Sequence, residues 1–307
     1  MKSHGSRIDV RLRAPFVSAS GSLDVRQLLL VRLEDGDGHV GYGEGAPLPP
    51  APLEAGRSTA AELARWDLEG RRTERPVWRL LGAEAAPPVR VNATIASPDR
   101  AGAVAAATAA AAAGFDCVKV KVGLDDDAGR LAAVRAACGP EMAIRIDANG
   151  AWSAREAVAT LCALEPIGIE LCEEPVAGLE AIARVSAQTS VPIAIDETTA
   201  APGAFERRAC AAACLKLARC GGISGTIEAA RRARAAGYEV YLASSLDGPL
   251  GIAAALHVAA AIDPDRPCGL ATLALFDGRP DPLPPRRGRI ELPSGPGLGD
   301  GLIEWYR

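Results

Sequence analysis

Charged side chains recur at the ends of five consecutive apolar segments in the middle of the chain. These ends read Lys119-Val120-Lys121, Arg145-Ile146-Asp147-Ala148-Asn149, Glu173-Glu174, Asp196-Glu197 and Lys216. If the segments are parallel strands of one barrel, their carboxyl ends meet at a single mouth, where such barrels gather catalytic groups. One such residue alone is easily explained as a solvated strand end, but five in succession favour a common site. The pattern therefore predicts an active site built from lysines and carboxylates.

Three of these segments each supply a carboxylate that could bind a metal ion: Asp147, Glu173 and Asp196. Three oxygen ligands suit a hard cation, and Mg²⁺ in particular keeps its other positions for water or substrate oxygens. Zinc is disfavoured because no histidine or paired cysteine lies nearby. Glu174 and Glu197 each directly follow a proposed ligand, so their side chains should start toward the opposite face and support the ligands. The alternative is a set of surface carboxylates paired with arginines.

Lysines oppose these carboxylates. Lys119 and Lys121 lie two residues apart on one strand, so both point to the barrel interior, and Lys216 should face the site from the other side. Mutual repulsion, desolvation and a nearby cation would each lower a lysine pKa, and a neutral amine can take a proton from carbon. Together with a divalent ion, this predicts removal of a proton next to a carboxylate, with the metal stabilising the enediolate. Lysines extending from an edge strand are the alternative.

The elements that would position these residues alternate short apolar runs with alanine-rich helical stretches, a pattern that begins at Val89. The expected strands are Val89–Ile95, Cys117–Val122, Ala143–Asp147, Ile169–Glu173, Pro192–Asp196, Cys214–Leu217, Glu239–Ala243 and Cys268–Leu273. Eight such runs separated by seven helical segments predict an α/β fold, a modified (β/α)7β TIM-like barrel. A doubly wound sheet is disfavoured because no Gly-x-Gly-x-x-Gly follows the first strand.

The sequence before the barrel is predicted to form an α+β unit. Arg7–Arg13 and Gln27–Glu34 read as strands, and the second turns at Asp35-Gly36-Asp37-Gly38 into His39–Glu44. Ala14–Leu23 is rich in Ser, Gly and Pro, so we expect a mobile loop that closes over the site and selects the substrate. A helical region follows from about Ser58 to Leu81. The expected domains are a cap (1–87), the catalytic barrel (88–274) and a tail (275–307) that returns to the cap.

Composition excludes several classes of protein. The chain has 307 residues, of which 49% are hydrophobic, which excludes a disordered protein. Its formal net charge of −4 excludes the strongly basic composition of a typical nucleic-acid-binding protein. The alanine run Ala103–Ala113 is too short for a membrane span, and no signal-peptide stretch begins the sequence. Eight cysteines without a Cys-x-x-Cys pair favour reduced thiols. We therefore expect a cytoplasmic protein that acts on a small-molecule carboxylate, and homo-oligomerisation is possible.

These residues resemble the enolase superfamily, in its muconate-lactonizing subgroup. The matching segments are Gly41-Tyr42-Gly43-Glu44, Ala64–Gly70, Lys119-x-Lys121, Asp147-Ala-Asn149, Glu173-Glu174-Pro175, Asp196-Glu197 and Lys216 with Gly221-Gly222. The resemblance implies that Asp147, Glu173 and Asp196 bind Mg²⁺. It implies that Lys121 removes the α-proton with Lys119 beside it, and that Lys216 is a second acid/base or a stabilising cation. The related branch with a histidine base is set aside, because no histidine lies at a suitable strand end (the three are His4, His39 and His257).

Within this subgroup the chain is similar to the o-succinylbenzoate synthase family, on Arg145–Trp152, Ala243–Asp247, Cys268–Thr272 and Leu292–Gly299. That similarity implies syn-dehydration of 2-succinyl-6-hydroxy-2,4-cyclohexadiene-1-carboxylate to 2-succinylbenzoate in menaquinone biosynthesis. The residues expected to bind substrate or support the site are Arg145, Asn149, Ser244, Ser245 and Asp247.

Several other functions stay open. Dipeptide epimerases typically carry Asp-x-Asp after the seventh strand, where Ser245-Leu246-Asp247 stands here, which counts modestly against that activity. An N-acylamino acid racemase and a muconate cycloisomerase would keep the same chemistry on another substrate. A Schiff-base aldolase using an interior lysine, or a binding protein without catalysis, would belong to a different class.

Overall fold

The computed structural model describes residues 2–307, and its first unit is a three-stranded antiparallel sheet, β1 (Lys2–Ser18), β2 (Gly21–Glu34) and β3 (Val40–Gly45). Helices α1 (Arg57–Arg72) and α2 (Val77–Leu80) follow. Helix α1 lies so close to β3 that a Cβ at Gly43 would stand 2.1 Å from the carbonyl oxygen of Ala60. Glycine at this position is therefore what lets the helix pack directly on the sheet, which matches the expected α+β cap.

The expected loop Ala14–Leu23 is instead the tip of the β1–β2 hairpin. Phe16 pairs with Leu23, and Ser18 pairs with Gly21 across the turn. The register shifts between Arg11 and Phe16, so residues 12–15 of β1 face only Asp24 of β2. Pro15 falls within this irregularity, where a missing backbone N–H is tolerated. The Ser-, Gly- and Pro-rich composition thus marks a bulge and a tight turn, and the prediction of a loop over the whole segment was wrong.

The second unit is a barrel of parallel strands with helices outside. Its strands are β5 (Ala93–Ile95), β6 (Cys117–Lys121), β7 (Ala143–Asp147), β8 (Ile169–Glu173), β9 (Ile193–Ile195), β10 (Ala212–Leu215) and β11 (Glu239–Leu242). The short strand β4 (Val89–Arg90) precedes them and belongs to a separate two-stranded sheet. Its helices are α3 (Arg100–Ala112), α4 (Asp127–Cys138), α5 (Ala154–Leu164), α6 (Leu179–Ser186), α7 (Leu217–Cys220), α8 (Ile223–Ala235) and α9 (Pro249–Ile262). Strands β5 to β11 form one seven-stranded sheet in chain order, which confirms the α/β barrel.

Two of the eight expected strands differ from the prediction. The first run, 89–95, splits into β4, which pairs with β12 (Arg289–Ile290) of the tail, and β5, which begins the barrel sheet. Cys268–Leu273 is not a strand. Only Cys268 and Gly269 bridge to Val91 and Ala243, because the chain then turns into the short helix Leu273–Leu275. These two residues nevertheless close the ring between its first and last strands.

The tail 275–307 contacts both units. Its β12 pairs with β4, and Phe276 bridges to Leu12 of β1. Gly297 accepts a hydrogen bond from Val77 N at 2.9 Å, and Leu298 N donates to the buried Asp67 carboxylate at 2.7 Å. The tail is therefore joined to the cap and to the barrel by backbone hydrogen bonds. Within residues 2–307, none of the helices combines the length and the apolar character that crossing a bilayer requires.

Candidate active site

The barrel mouth brings together six charged side chains, and all six are buried. Lys119 and Lys121 come from β6, Asp147 from β7 and Glu173 from β8. Asp196 and Lys216 immediately follow β9 and β10. In the strand register Lys121 is opposite Asp147, which is opposite Glu173, so neighbouring strands place these groups at one level. The structure thus brings together every lysine and every proposed metal ligand in the sequence prediction.

Each lysine contacts a carboxylate. The Lys121 Nζ lies 2.6 Å from Asp147 Oδ2, and the Lys216 Nζ lies 2.5 Å from Asp196 Oδ2. The Lys119 Nζ lies between two partners, 2.9 Å from Glu173 Oε2 and 3.3 Å from Asp147 Oδ2. Lys121 and Lys216 therefore approach the site from different strands, with the carboxylates between them.

The lysine pKa values differ from the expectation. Burial alone would lower the pKa of Lys119, but the neighbouring Glu173 and Asp147 carboxylates outweigh it and hold that pKa well above its usual value. The pKa of Lys216 is raised for the same reason, with burial opposed mainly by Asp196. The directions at Lys119 and Lys216 are thus opposite to the predicted ones, because attraction by the carboxylates exceeds desolvation; the prediction also included a bound cation, whose repulsion would act against that attraction.

The carboxylates fit a divalent cation. Glu173 and Asp196 carry oxygens within 4.8 Å of each other, together with the Cys214 sulfur. Asp147 is outside that group but is held beside Glu173 by Lys119, which donates to both. The Oε1 atom of Glu173 is buried without a hydrogen-bond partner, a state that a bound cation would relieve. Burial raises the pKa of the Cys214 thiol well above its usual value, so oxygen ligands remain and the set suits Mg²⁺.

A cavity of about 430 Å³ lies above these groups. Lys119, Lys121 and Lys216 form part of its lining, and the cap closes it with the hairpin tip and the segment Leu48–Pro50. The Phe16 ring of the hairpin tip lies over Lys121, with 5.7 Å between the ring centroid and Nζ. A larger cleft of about 540 Å³ between β1 and the tail contains none of the site residues.

The residues expected to bind substrate separate into two groups. Asn149, Ser244 and Ser245 line the cavity. Asp247 does not line it: its carboxylate accepts hydrogen bonds from Ser244 Oγ at 2.9 Å and Ser245 N at 2.7 Å, so it orders that wall from behind. Arg145 is not part of the cavity either.

Arg145 lies one layer deeper in the barrel than Asp147. Its Nε donates to Glu170 at 2.6 Å, its Nη1 donates to the Pro267 carbonyl at 2.6 Å, and its guanidinium lies over the Tyr241 ring. Because Arg145 is two residues before Asp147 on β7, it shares the inward face but points toward the other end of the barrel. Of the two roles expected for Arg145, binding substrate was wrong, and support of the site from below stays a prediction.

The sequence analysis missed Arg219, which also lines the cavity. Its guanidinium pairs with Asp196 and lies 3.3 Å from Glu197 Oε1. Burial opposes these attractions, yet the two carboxylates raise the pKa of Arg219 above its usual value. Arg219 stands three residues after Lys216 on the short helix α7, so helical spacing could have predicted that both share one face.

Glu174 and Glu197 have different roles in the structure. Glu174 is buried and accepts hydrogen bonds from Asp196 N at 2.7 Å and Thr198 N at 3.1 Å, so it fixes the turn that carries Asp196. Burial raises the pKa of Glu174 to about 7. Glu197 instead lines the cavity and accepts a hydrogen bond from Asn149 Nδ2 at 3.3 Å.

Comparison with known proteins agrees with this architecture. The family described as Enolase C-terminal domain-like matches residues 102–304. An o-succinylbenzoate synthase of Thermobifida fusca is 34% identical over 280 residues, covering 88% of this chain and 82% of the relative. A D-Ala-D/L-Ala epimerase of Cytophaga hutchinsonii is 28% identical over 346 residues, covering 97% and 94%.

Solved structures show the same fold. A dipeptide epimerase from Cytophaga hutchinsonii, complexed with Mg and the dipeptide D-Ala-L-Val, has a TM-score of 0.89 and 26% identity, covering 99% of this chain and 98% of that one. The relatives share a fold but differ in reaction, since epimerases, racemases and cycloisomerases stand beside the synthase. On the family match and these relatives, the chain belongs to the Enolase C-terminal domain-like family, within the enolase superfamily.

Proposed function

We propose that this protein is a metal-dependent enzyme that removes a proton from the carbon next to a carboxylate, and that it is an o-succinylbenzoate synthase. The observation that carries the proposal is the arrangement of Lys121 at the floor of the cavity, with Asp147 and the unpartnered Glu173 oxygen beside it. Asp147, Glu173 and Asp196 would hold Mg²⁺. When bound, the ion supplies positive charge against the negative charge that grows on the substrate carboxylate as the proton leaves.

The proposed reaction is a syn-dehydration in which Lys121 serves twice. Its Nζ accepts the proton from the ring carbon that bears the carboxylate, and the electrons of that C–H bond pass to the carboxylate and then into the ring. The C–O bond to the hydroxyl breaks, and the protonated Lys121 returns its proton to the departing oxygen, which leaves as water. Lys216, on the opposite side, serves as a fixed positive charge. The product ring is aromatic, which favours elimination.

The charges around the cavity support this substrate over a dipeptide. The lining includes four cationic side chains (Lys119, Lys121, Lys216 and Arg219) and one carboxylate, Glu197, which already lies beside Arg219. Asp147, Glu173 and Asp196 lie directly below these cations and neutralise them, so an excess of positive charge would come from Mg²⁺ bound to those carboxylates. A substrate with two carboxylates, one on the ring and one on the succinyl arm, matches a site charged in that way. The ammonium group of a dipeptide would need a free carboxylate, but Ser245 has none and Asp247 is engaged by Ser244.

A racemase of N-acylamino acids is the second candidate, and the position of Lys216 favours it. Racemisation needs proton exchange on both faces of the carbon, and Lys121 and Lys216 both line the cavity from strands four positions apart in the sheet. Lys216→Arg keeps the positive charge but cannot exchange a proton near neutral pH. It should therefore abolish racemisation while it leaves measurable dehydration.

The deciding experiment is an assay of the purified protein with the cyclohexadiene substrate, in the presence of Mg²⁺ and after EDTA treatment. We expect the near-ultraviolet absorbance of the substrate to fall only when the metal is present. Lys121→Ala, measured in parallel, is the control for uncatalysed elimination. An unchanged absorbance with Mg²⁺ would refute the synthase activity. Full activity after EDTA, with borohydride trapping substrate on a lysine, would instead identify a Schiff-base enzyme.

A further inference from the structure

Arg26 of β2 is a buried arginine that binds only backbone carbonyl groups. The side chain is 2% exposed. Its three nitrogens donate to five carbonyl oxygens, those of Gln27, Ala46, Pro47, Ser245 and Leu246. Among residues 2–307 none of its hydrogen-bond partners is a carboxylate. All the hydrogen bonds of this interior cation therefore go to backbone dipoles.

This arrangement costs folding free energy, because burial removes the charged guanidinium from water. Burial lowers the pKa of Arg26, and the nearby Asp247 and Glu44 carboxylates offset only part of that effect. An apolar side chain of similar volume would fill the space without the desolvation penalty. What an apolar side chain cannot supply is a planar fork of donors that reaches several acceptors at fixed angles. The distinctive contribution of Arg26 is therefore geometric.

The carbonyl groups that Arg26 holds belong to the two walls of the cavity. Ala46 and Pro47 lead directly into Leu48–Pro50, which forms the cap wall. Ser245 and Leu246 lie in the barrel wall themselves. The distances are 2.7 Å from Nη1 to the Pro47 oxygen and 3.1 Å from Nε to the Ser245 oxygen. One side chain from the cap sheet thus ties a cap segment to a barrel segment directly behind the cavity.

The barrel wall needs such support because Leu246 adopts a left-handed backbone conformation, with φ of +58°. A leucine in that region is strained and stays there only when its surroundings hold it. Arg26 Nε binds the Leu246 carbonyl oxygen at 3.3 Å. A second tie lies at the same junction, where Glu44 accepts hydrogen bonds from Gly248 N at 2.7 Å and from the Tyr306 hydroxyl.

We propose that Arg26 is a positioning residue that sets the spacing between the cap wall (46–50) and the barrel wall (244–248) of the cavity. It never touches the reacting atoms. It selects substrates through the width of the cavity and through the placement of Ser244 and Ser245. The role in substrate selection rests on the proposed function, because it requires that the cavity binds substrate. The role in spacing the two walls holds for any reaction at the site.

Hydrogen–deuterium exchange of Arg26→Met tests the structural part without a substrate. Arg135→Met is a matched control, because Arg135 also donates to backbone carbonyls (Ile167, Gly139, Pro140, Met142 and Gly168) but does not line or support the cavity. We expect faster exchange of the backbone amides of Ala46, Leu48 and the non-proline residues of 244–250 in Arg26→Met alone, by roughly tenfold or more. Unchanged exchange in these segments would overturn the proposal, as would equal acceleration there in Arg135→Met.

Steady-state kinetics test the consequence for substrate selection. With any substrate that the unmodified enzyme converts, Arg26→Met should raise KM by about tenfold while kcat stays within about threefold, since the chemical groups remain in place. Arg26→Lys keeps the charge and serves if Arg26→Met fails to fold; its three ammonium donors cannot span five carbonyls, so the same KM effect is expected. A fall in kcat with KM unchanged would overturn the role. Failure of the unmodified enzyme to convert the cyclohexadiene substrate would count against the proposed function alone, because exchange still decides the role of Arg26.

Discussion

The barrel contains two layers of paired charges, a buried one at the mouth and a partly exposed one around Arg145, and they differ in chemistry. At the mouth, three cations are lysines paired with Asp147, Glu173 and Asp196, and a fourth, Arg219, also pairs with Asp196. At the opposite end, the cations are arginines: Arg145 pairs with Glu170, and Arg266 pairs with both Glu170 and Glu239. Arginine keeps its proton in proteins, whereas lysine can release one. Among the cations of the two layers, only the lysines at the mouth can therefore transfer protons.

Each layer also leaves one buried charged group with an unpartnered atom, and these two atoms are of opposite kinds; the Tyr241 hydroxyl beside Arg145 is unpartnered as well. At the mouth it is the Oε1 acceptor of Glu173; in the deeper layer it is the Nη2 donor of Arg145. A cation can satisfy an orphaned carboxylate oxygen, but it would be repelled by a guanidinium donor. Buried charge alone thus does not mark a catalytic site. A site of this kind requires an incomplete acceptor set together with a base that can titrate.

Removing the base at the mouth should have the largest effect. Lys121→Ala deletes the amine that contacts Asp147, so we expect kcat to fall by about 1000-fold or more, since general acid–base groups contribute on that order. The measurement is steady-state turnover of the substrate that the unmodified enzyme accepts. The variant should still bind Mg²⁺ in calorimetry. Turnover within tenfold of the unmodified enzyme would move the base to another residue.

The two glutamates of β8 offer a matched comparison between the layers. Glu173→Gln removes the charge from the orphaned acceptor, so Mg²⁺ affinity should fall by at least about 100-fold, as measured by isothermal titration calorimetry. Glu170→Gln makes the same change three residues earlier on the same strand, in the deeper layer, and should leave Mg²⁺ affinity unchanged. Equal losses in the two variants would contradict the distinction between the layers.

The sequence predicted the mouth well because its chemistry follows strand periodicity. Strands β6 to β8 end where the apolar runs end, and a parallel register then necessarily gathers Lys121, Asp147 and Glu173. Depth along a strand is harder to predict. Arg145 lies on the same inward face as Asp147, only two residues earlier on β7. The alternation of side chains indicates which face a residue lies on, but it does not show that Asp147 is in the catalytic layer and Arg145 in the structural one.

The cap could be predicted only in outline. Composition correctly indicated sheet and helix, but it could not show that Ala14–Leu23 continues a hairpin, because a bulge at Pro15 and the pairing of Phe16 with Leu23 depend on the partner strand. The role of Arg26 could not be predicted at all. Its acceptors are backbone groups up to 220 residues away, which have no signature in side-chain sequence.

Breaking the deeper layer should affect stability and leave catalysis nearly unchanged. Arg145→Met removes the hydrogen bonds to Glu170 and to the Pro267 carbonyl, and losing hydrogen bonds made by a charged group costs about 2 kcal/mol in the free energy of unfolding. Glu170 is partly exposed and keeps its pair with Arg266, which limits the loss. Chemical denaturation measures this loss, and kcat at a temperature where the variant is folded should stay within about threefold. Arg90→Met, which breaks the exposed pair with Asp116, is the control and should change neither quantity. A selective loss of kcat in Arg145→Met would place Arg145 in the active site after all.

His257 provides the smallest and most specific test, because it is a buried titratable group outside both charge layers. Its Nδ1 accepts a hydrogen bond from Trp78 N at 3.3 Å, and its Nε2 lies 3.3 Å from the Leu298 carbonyl oxygen, so the neutral ring joins α2, α9 and the tail. Burial lowers the pKa of His257 to about 4. An unfolded chain takes up this proton near pH 6.5, so the stability that the neutral histidine provides is lost as the pH falls from about 6.5 to about 4.

The measurement is the free energy of unfolding by denaturant at several pH values, compared between the unmodified protein and His257→Gln. The glutamine variant keeps a polar side chain at this position but cannot titrate, so its stability should depend less on pH in that window, by up to about 3 kcal/mol at pH 4. Catalysis should show no matching step at the pH values where both proteins are folded, since His257 lies in neither the mouth nor the cavity lining. Parallel pH curves for the two proteins would mean that His257 titrates normally, and that its burial imposes no penalty on the charged ring.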